Sequence, residues 1–219
     1  MVWSYSWLKM YETCARQYHE IKILKNFERE NNEQSLYGND LHKAADELVK
    51  RQKPLPEQFA FLQPLIDALM RKPGVKFSEL KLALTADLKP CDWMAPDVWV
   101  RGIIDFMVLD EEYAQAWIVD YKTGKPKYAD KDQLDLMSLL VFAYYPKVVQ
   151  VHSALAFVVK DIFIKHKRHR EESEKMWWDY RNRVAKIEKA QSVNVWNPTR
   201  SGLCKSHCVV RSCEHNGRM

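Results

Sequence analysis

The chain has 219 residues, of which 47% are apolar and 29% are charged, with a formal net charge of +5 at pH 7. This apolar content is sufficient for a full hydrophobic core, and the sequence shows neither an internal repeat nor a low-complexity tract. No run of about 18 apolar residues occurs, and residues 1–9 lack the pattern of a secretion signal. We therefore expect a soluble, cytoplasmic protein with no membrane partner. Its mild basicity is compatible with a polyanionic partner without proving one.

Helical periodicity dominates the first third of the chain. Apolar residues recur at three- and four-residue intervals over residues 4–23, and a second helix is predicted to begin near Asn39 as its N-cap. A proline-interrupted helical stretch follows over residues 54–70 and ends at the turn Pro73-Gly74. We therefore predict a helical N-terminal part over residues 1–75.

The hydrophobic period changes to two after this turn. Strands are predicted at 78–85, 99–109, 116–122 and 148–159, and helices at 130–144 and 171–190. This order predicts an α/β fold in which helices flank a central mixed sheet, with the catalytic core over residues 76–160. Residues 161–219 add a helix and a cysteine-containing tail to the single predicted domain.

The triplet Asp120-Tyr121-Lys122 ends one of the predicted strands. Alternate strand residues share a face, so Asp120 and Lys122 lie side by side. A carboxylate can hold a hard divalent cation, while a neighbouring lysine can position or deprotonate the attacking water in phosphodiester hydrolysis. If the hairpin pairs directly, Asp105 lies beside Asp120, and the two can share Mg²⁺ or Mn²⁺. Glu79 could add a direct or indirect contact, although an outward-facing charge on a half-buried strand is ordinary.

Several short motifs follow one another in a distinctive order. They are Tyr37-Gly38-Asn39-Asp40-Leu41-His42, Glu79, Gly102-Ile103-Ile104-Asp105, Asp120-Tyr121-Lys122-Thr123-Gly124 and Gln133-Leu134. In order and separation they resemble the motifs of RecB-like exonucleases in the PD-(D/E)xK superfamily, over roughly residues 42–157. The resemblance implies a restriction-endonuclease-like core.

The same resemblance implies a role for each matching residue. It implies that the metal ligands are His42, Asp105, Asp120 and the backbone carbonyl of Tyr121. Lys122 is then the catalytic lysine. Gln133 contacts either DNA or the catalytic network, which also includes Glu79. Met137 departs from the pattern, because an aromatic residue often follows the glutamine by four positions. No tyrosine is assigned there.

The expected activity is that of a Mg²⁺- or Mn²⁺-dependent DNA exonuclease acting on single-stranded or end-processed DNA. The stand-alone chain resembles phage-encoded and CRISPR-associated nucleases of recombination, repair or DNA processing, and a phage-encoded protein would act in the host cytoplasm. A structure-specific endonuclease and a non-catalytic DNA-binding protein with the same fold are the alternatives. A restriction-type enzyme would normally need a larger recognition region.

Five cysteines, an odd number, argue against a disulfide framework. Cys14, Cys204, Cys208 and Cys213 resemble the one-before, three-after arrangement that holds a [4Fe-4S] cluster in some RecB-like nucleases. The spacing Cys-x3-Cys-x4-Cys departs from that pattern, so zinc held with His207 or His215, or a tail without metal, remains an alternative. Cys91 is expected to be an ordinary thiol.

A basic run occupies residues 165–170, and eight tryptophans are many for this length. Lys165, Lys167, Arg168 and Arg170 are candidate contacts to a DNA backbone, although a charged run before a helix is commonly a solvated loop. Candidate stacking platforms for single-stranded bases are Trp3, Trp7, Trp93, Trp99, Trp177 and Trp178, most of which should be core residues. The sequence does not choose among them.

Overall fold

The computed structural model describes residues 1–28 and 32–217, in two compact units. The core unit is Asn32–Trp177, and the terminal unit combines Met1–Asn31 with Trp178–Met219. The predicted α/β class is confirmed, and the prediction of one domain over residues 1–219 stays a prediction.

Helices and strands alternate along most of the chain. The α-helices are α1 Tyr5–Thr13, α2 Ala15–Tyr18, α3 Glu33–Arg51, α4 Gln63–Met70, α5 Asp132–Tyr144 and α6 Ser173–Val193. The strands are β1 Val75–Thr85, β2 Pro90–Cys91, β3 Val98–Asp110, β4 Gln115–Lys122, β5 Gln150–Phe157 and β6 Ile162–His169. A π-helical turn, His19–Ile23, follows α2, and a 3-10 helix, Glu57–Leu62, precedes α4. None of the described helices is long and apolar enough to cross a membrane.

The six strands form one mixed sheet in the order β2-β1-β3-β4-β5-β6. Only β4 and β5 run parallel, and α5 supplies the crossover that such a pair requires. On one face of the sheet, residues such as Phe106 and Val119 pack with Leu41 of α3 and Ile66 of α4. Helix α5 approaches β3 closely at Gly102, where a Cβ would lie 2.4 Å from a Leu140 methyl carbon.

Helix α3 begins earlier than the sequence pattern predicts. Asn32, not Asn39, is its N-cap, and the Asn32 side chain accepts a hydrogen bond from the Ser35 N–H at 2.8 Å. Gly38 lies inside the helix, although its pairing with Asn39 is typical of a turn. Burial of Leu41 and its neighbours against the sheet outweighs this local preference.

The basic run is an edge strand and not the expected loop, since β6 covers most of it. Arg168 forms an ion pair with Asp135 of α5 at 2.8 Å, and Arg170 donates to three backbone carbonyls at the end of α5 and just after it. These contacts fix α5 to the sheet and occupy both guanidinium groups, which argues against the predicted DNA contacts of Arg168 and Arg170. Lys165 and Lys167 are exposed, and their contacts to DNA stay predictions.

Candidate active site

The site lies where β3 and β4 separate. Their pairing ends at Phe106 and Val119, so Asp105 and Asp120, the next residues in register, face a gap in the ladder. The Asp105 carboxylate enters this gap, and its Oδ2 accepts a hydrogen bond from the Tyr121 N–H at 2.7 Å. This bond satisfies a buried backbone donor and fixes the carboxylate in one orientation.

Three side chains from three elements converge beside the gap. His42 of α3, Glu79 of β1 and Asp105 of β3 place ligand atoms within 4.8 Å of one another. His42 Nδ1 lies 3.3 Å from Asp105 Oδ2 and 3.6 Å from Glu79 Oε1. Within residues 1–28 and 32–217, no other three His, Cys, Asp or Glu side chains are so closely grouped. Glu79 therefore has the position of a direct ligand, although the sequence left this contact uncertain.

Glu79 has an unusual backbone conformation for a strand residue. Its φ is +48°, in the left-handed region, and the β1–β3 ladder pairs Ser78 and Leu80 but not Glu79. Such a conformation costs about 1–3 kcal/mol and persists only where the surrounding structure imposes it. The ladder on either side of Glu79 holds it in this conformation, in which its carboxylate reaches His42.

The electrostatics of the group favour a bound cation. Burial alone would lower the pKa of His42, but the hydrogen bonds to Asp105 and Glu79 outweigh burial and raise the pKa of His42 to about 10. Burial, assisted by the charge of Asp105, also raises the pKa of Asp120, and Lys122 opposes this shift. The carboxylates thus hold a proton on the imidazole of His42. A metal ion that binds to this imidazole would have to displace that proton.

A second group adjoins the first and contains the predicted catalytic lysine. Lys122 Nζ lies 2.5 Å from Asp120 Oδ2 and donates to Gln133 Oε1 at 3.0 Å. The amide Nε2 of Gln133 donates to Asp120 Oδ1 at 2.7 Å, closing a three-membered network. Asp120 is 2% exposed, whereas the Lys122 side chain is 33% exposed. The network therefore holds the ammonium group at a buried anchor and leaves part of it accessible.

The structure thus gathers the predicted side chains into one region of the core unit, with two differences in detail. Both Asp120 oxygens face Lys122 or Gln133, and Asp120 is not part of the compact group around His42. The ring of Tyr121 packs against His42 at 5.9 Å, and the ligand role of the Tyr121 carbonyl stays a prediction. The donor set of two carboxylates and one imidazole suits a divalent cation, with Mg²⁺ favouring the oxygens and Mn²⁺ accepting the nitrogen.

The terminal unit contains a second candidate metal site. Its four predicted ligands, Cys14, Cys204, Cys208 and Cys213, line one cavity, which His215 also lines. None of these thiols forms a disulfide. Cys14 is extended, with φ −162°, and separates α1 from α2 within the predicted helical region 4–23.

Backbone N–H groups already point at two of the sulfurs. The Thr199 N–H donates to Cys14 Sγ and the Ser201 N–H to Cys204 Sγ, both at 3.4 Å. In the described part of the terminal unit, no three ligand atoms of Cys and His lie within 4.8 Å of one another. The thiols therefore surround a space and do not converge on a point.

A mixed sheet with carboxylates and a lysine at the divergence of two central strands is typical of restriction-endonuclease-like nucleases. The chain belongs to the PD-(D/E)XK nuclease superfamily, whose family model matches residues 2–214. A crystal structure of a Eubacterium rectale protein named "putative exonuclease" is similar, with a TM-score of 0.55 and 14% sequence identity over 97% of this chain and 87% of that one. At this identity the likeness shows the shared fold. No curated protein matches the sequence significantly.

Proposed function

We propose that this nuclease is a Mg²⁺- or Mn²⁺-dependent DNA exonuclease whose reaction takes place at the divergence of β3 and β4. The observation that carries the proposal is the convergence of His42, Glu79 and Asp105 beside the network of Asp120, Lys122 and Gln133. The first group supplies a cation site and the second a fixed ammonium group. Phosphodiester hydrolysis can use both, the cation to activate water and the ammonium group to offset negative charge.

Each side chain has a task in this mechanism. His42, Glu79 and Asp105 would hold the cation, which when bound polarises the phosphodiester and favours ionisation of water. Lys122 offsets the negative charge that develops on the phosphate oxygens and orients the attacking water. Asp120 and Gln133 hold Lys122 Nζ in place before substrate arrives, so no reorganisation of the ammonium group is needed during the reaction.

The preference for DNA ends is supported by the name of the Eubacterium rectale neighbour and by the likeness to RecB-like exonucleases in the motif order. A role in recombination, repair or DNA processing, in a host or a phage, is part of the same proposal. An endonuclease and a DNA-binding protein without turnover are the outcomes against which it is tested.

The test is cleavage of 5′-labelled and 3′-labelled single- and double-stranded oligonucleotides, alongside a closed circular DNA. We expect the protein to cleave linear DNA with Mg²⁺ or Mn²⁺ and not to cleave it with EDTA. The closed circular DNA should remain intact with either metal. Cut circles would identify an endonuclease. Undiminished cleavage in EDTA would contradict metal dependence, and binding without cleavage of any substrate would favour the non-catalytic alternative.

We further propose that the four cysteines of the terminal unit bind a [4Fe-4S] cluster. A tetrahedral zinc site with Zn–S bonds near 2.3 Å brings its sulfurs to within about 3.8 Å of one another. In the described part of the terminal unit, no three Cys or His ligand atoms come that close together. A cluster spaces its thiolates more widely, and N–H groups pointing at sulfur, as at Cys14 and Cys204, stabilise its charge.

Replacement of Cys208 by alanine is expected to abolish iron binding in protein purified without oxygen. The wild type should be brown, with broad visible absorption that reduction weakens, and the variant colourless. Cys91→Ala is the matched control, because Cys91 is a free thiol of the core unit and should leave iron content unchanged. Stoichiometric zinc without iron in the wild type would contradict the cluster.

A further inference from the structure

Two cations of the core unit lie close to the Trp93 ring. The Lys81 Nζ is 5.7 Å from the centre of the Trp93 ring system, and the guanidinium carbon of Arg101 is 5.2 Å from it. Trp93 itself is half-buried, so part of the indole remains accessible. Positive charge beside an accessible aromatic face is the combination with which proteins hold single-stranded nucleic acid.

The two cations lie on the same strands as Glu79 and Asp105, and Trp93 lies in the segment between β2 and β3. Lys81 follows Glu79 by two residues in β1, and Arg101 precedes Asp105 by four residues in β3. At a rise of about 3.3 Å per residue, these separations are roughly 7 Å and 13 Å. Lys81 pairs with Ile103, which is 37% exposed, so the strip between the cluster and Asp105 is open.

A groove runs along β1 beside the cation site. Glu79 and Lys81 both line it, and its volume is about 580 Å³. The opposite side of β3 is closed at Gly102, which packs directly against Leu140 of α5. The exposed strip at Ile103 is therefore the path from the cation site toward Trp93.

The two cations are not used for internal ion pairs. Among residues 1–28 and 32–217, no carboxylate pairs with Lys81 or Arg101, and the buried Nε of Arg101 lacks a hydrogen-bond partner. Arg168, which ties α5 to the sheet through Asp135, shows the contrasting structural use of a guanidinium group. Leaving a buried donor unsatisfied is costly unless a ligand completes it.

We propose that Trp93, Lys81 and Arg101 form a subsite for the single strand of DNA that leads to the cation site. A base stacks on Trp93, and the two cations contact the flanking phosphates. The subsite tolerates any base, because stacking and phosphate contacts read no sequence. This inference rests on the proposed nuclease function and assigns one further part of its substrate contact.

The test is the affinity for a fluorescein-labelled oligothymidylate, measured by anisotropy in Ca²⁺, together with steady-state cleavage in Mn²⁺. Trp93→Ala should raise Kd about 5- to 100-fold and raise KM with kcat little changed. Trp93→Phe should recover most of the affinity, because it restores an aromatic face. Far-UV circular dichroism checks that each variant is folded.

A pair of lysine variants controls for general loss of charge. Lys72 also lies over a tryptophan, 4.6 Å from the centre of the Trp117 ring, but outside the groove. Lys81→Ala should weaken binding and reduce the slope of log Kd against log salt concentration by about one, whereas Lys72→Ala should change neither.

The outcomes separate this inference from the proposed function. If the wild type cleaves but Trp93→Ala binds and cleaves like it, the subsite is wrong and the nuclease stands. If the wild type binds DNA through Trp93 but never cleaves, the subsite stands and the proposed function fails. Equal loss of affinity in the Lys81 and Lys72 variants would also overturn the subsite.

Discussion

Replacement of Lys122 by methionine is expected to lower kcat for DNA cleavage by about 10²- to 10⁴-fold. Methionine keeps an unbranched side chain of similar length but removes the ammonium group that Asp120 and Gln133 hold. Because the cation ligands are unaltered, Mn²⁺ affinity should change little. The measurement is steady-state cleavage of an end-labelled oligonucleotide over a range of substrate concentrations, at saturating Mn²⁺.

Two further variants make this result specific. Gln133→Leu keeps the ammonium group of Lys122 but removes one of its two partners. We therefore expect kcat to fall by about tenfold, less than in Lys122→Met, with KM unchanged. Lys147→Met is the charge control, since Lys147 pairs with Glu111 at the surface and its side chain is 75% exposed. Full activity of Lys122→Met would exclude the catalytic role of Lys122.

Replacement of Asp105 by asparagine is expected to abolish cleavage, with a loss of at least about 10³-fold, and to weaken Mn²⁺ binding. The amide oxygen of asparagine can still accept from the Tyr121 N–H, so the gap between β3 and β4 stays bridged. What is lost is one of two negative charges in a group that has to hold a divalent cation. Mn²⁺ titration by electron paramagnetic resonance, alongside cleavage, measures both effects.

The matched control lies on the same strand. Asp110 is a buried aspartate of β3 that accepts a hydrogen bond from the Tyr113 N–H in the hairpin turn, so Asp110→Asn makes the same chemical change away from the site. We expect it to retain Mn²⁺ binding and cleavage. Equal defects in the two variants would mean that buried charge on β3 matters only for folding.

Much of the sheet could be predicted from the sequence, because β1, β3 and β4 have residue patterns that local chemistry explains. Alternation placed Asp120 and Lys122 on one face, and the structure shows them in contact. The start of α3 does not follow from the sequence, because Gly38-Asn39 has the propensity of a turn, whereas packing of the helix against the sheet decides its conformation.

The geometry of the site depended on tertiary structure that no local pattern encodes. The positive φ of Glu79 follows from how β1 meets β3, and nothing in the sequence around Glu79 indicates it. The edge strand β6 does not follow from the sequence, because cations occur on both of its faces and hide the period of two. The choice of Trp93 required knowing that Lys81 and Arg101 lie on neighbouring strands.

The terminal unit has a consequence for the order of folding, because its two segments are separated along the chain by the whole core unit. Helix α1, with Leu8 buried in the folded protein, leaves the ribosome about 165 residues before the segment that begins at Trp178. At about 5–20 residues per second, this interval is on the order of ten seconds. The core unit can form meanwhile, so the nascent protein carries an apolar helix without its partner segment, and Cys14 meets the other three thiols only after the core unit has been synthesised.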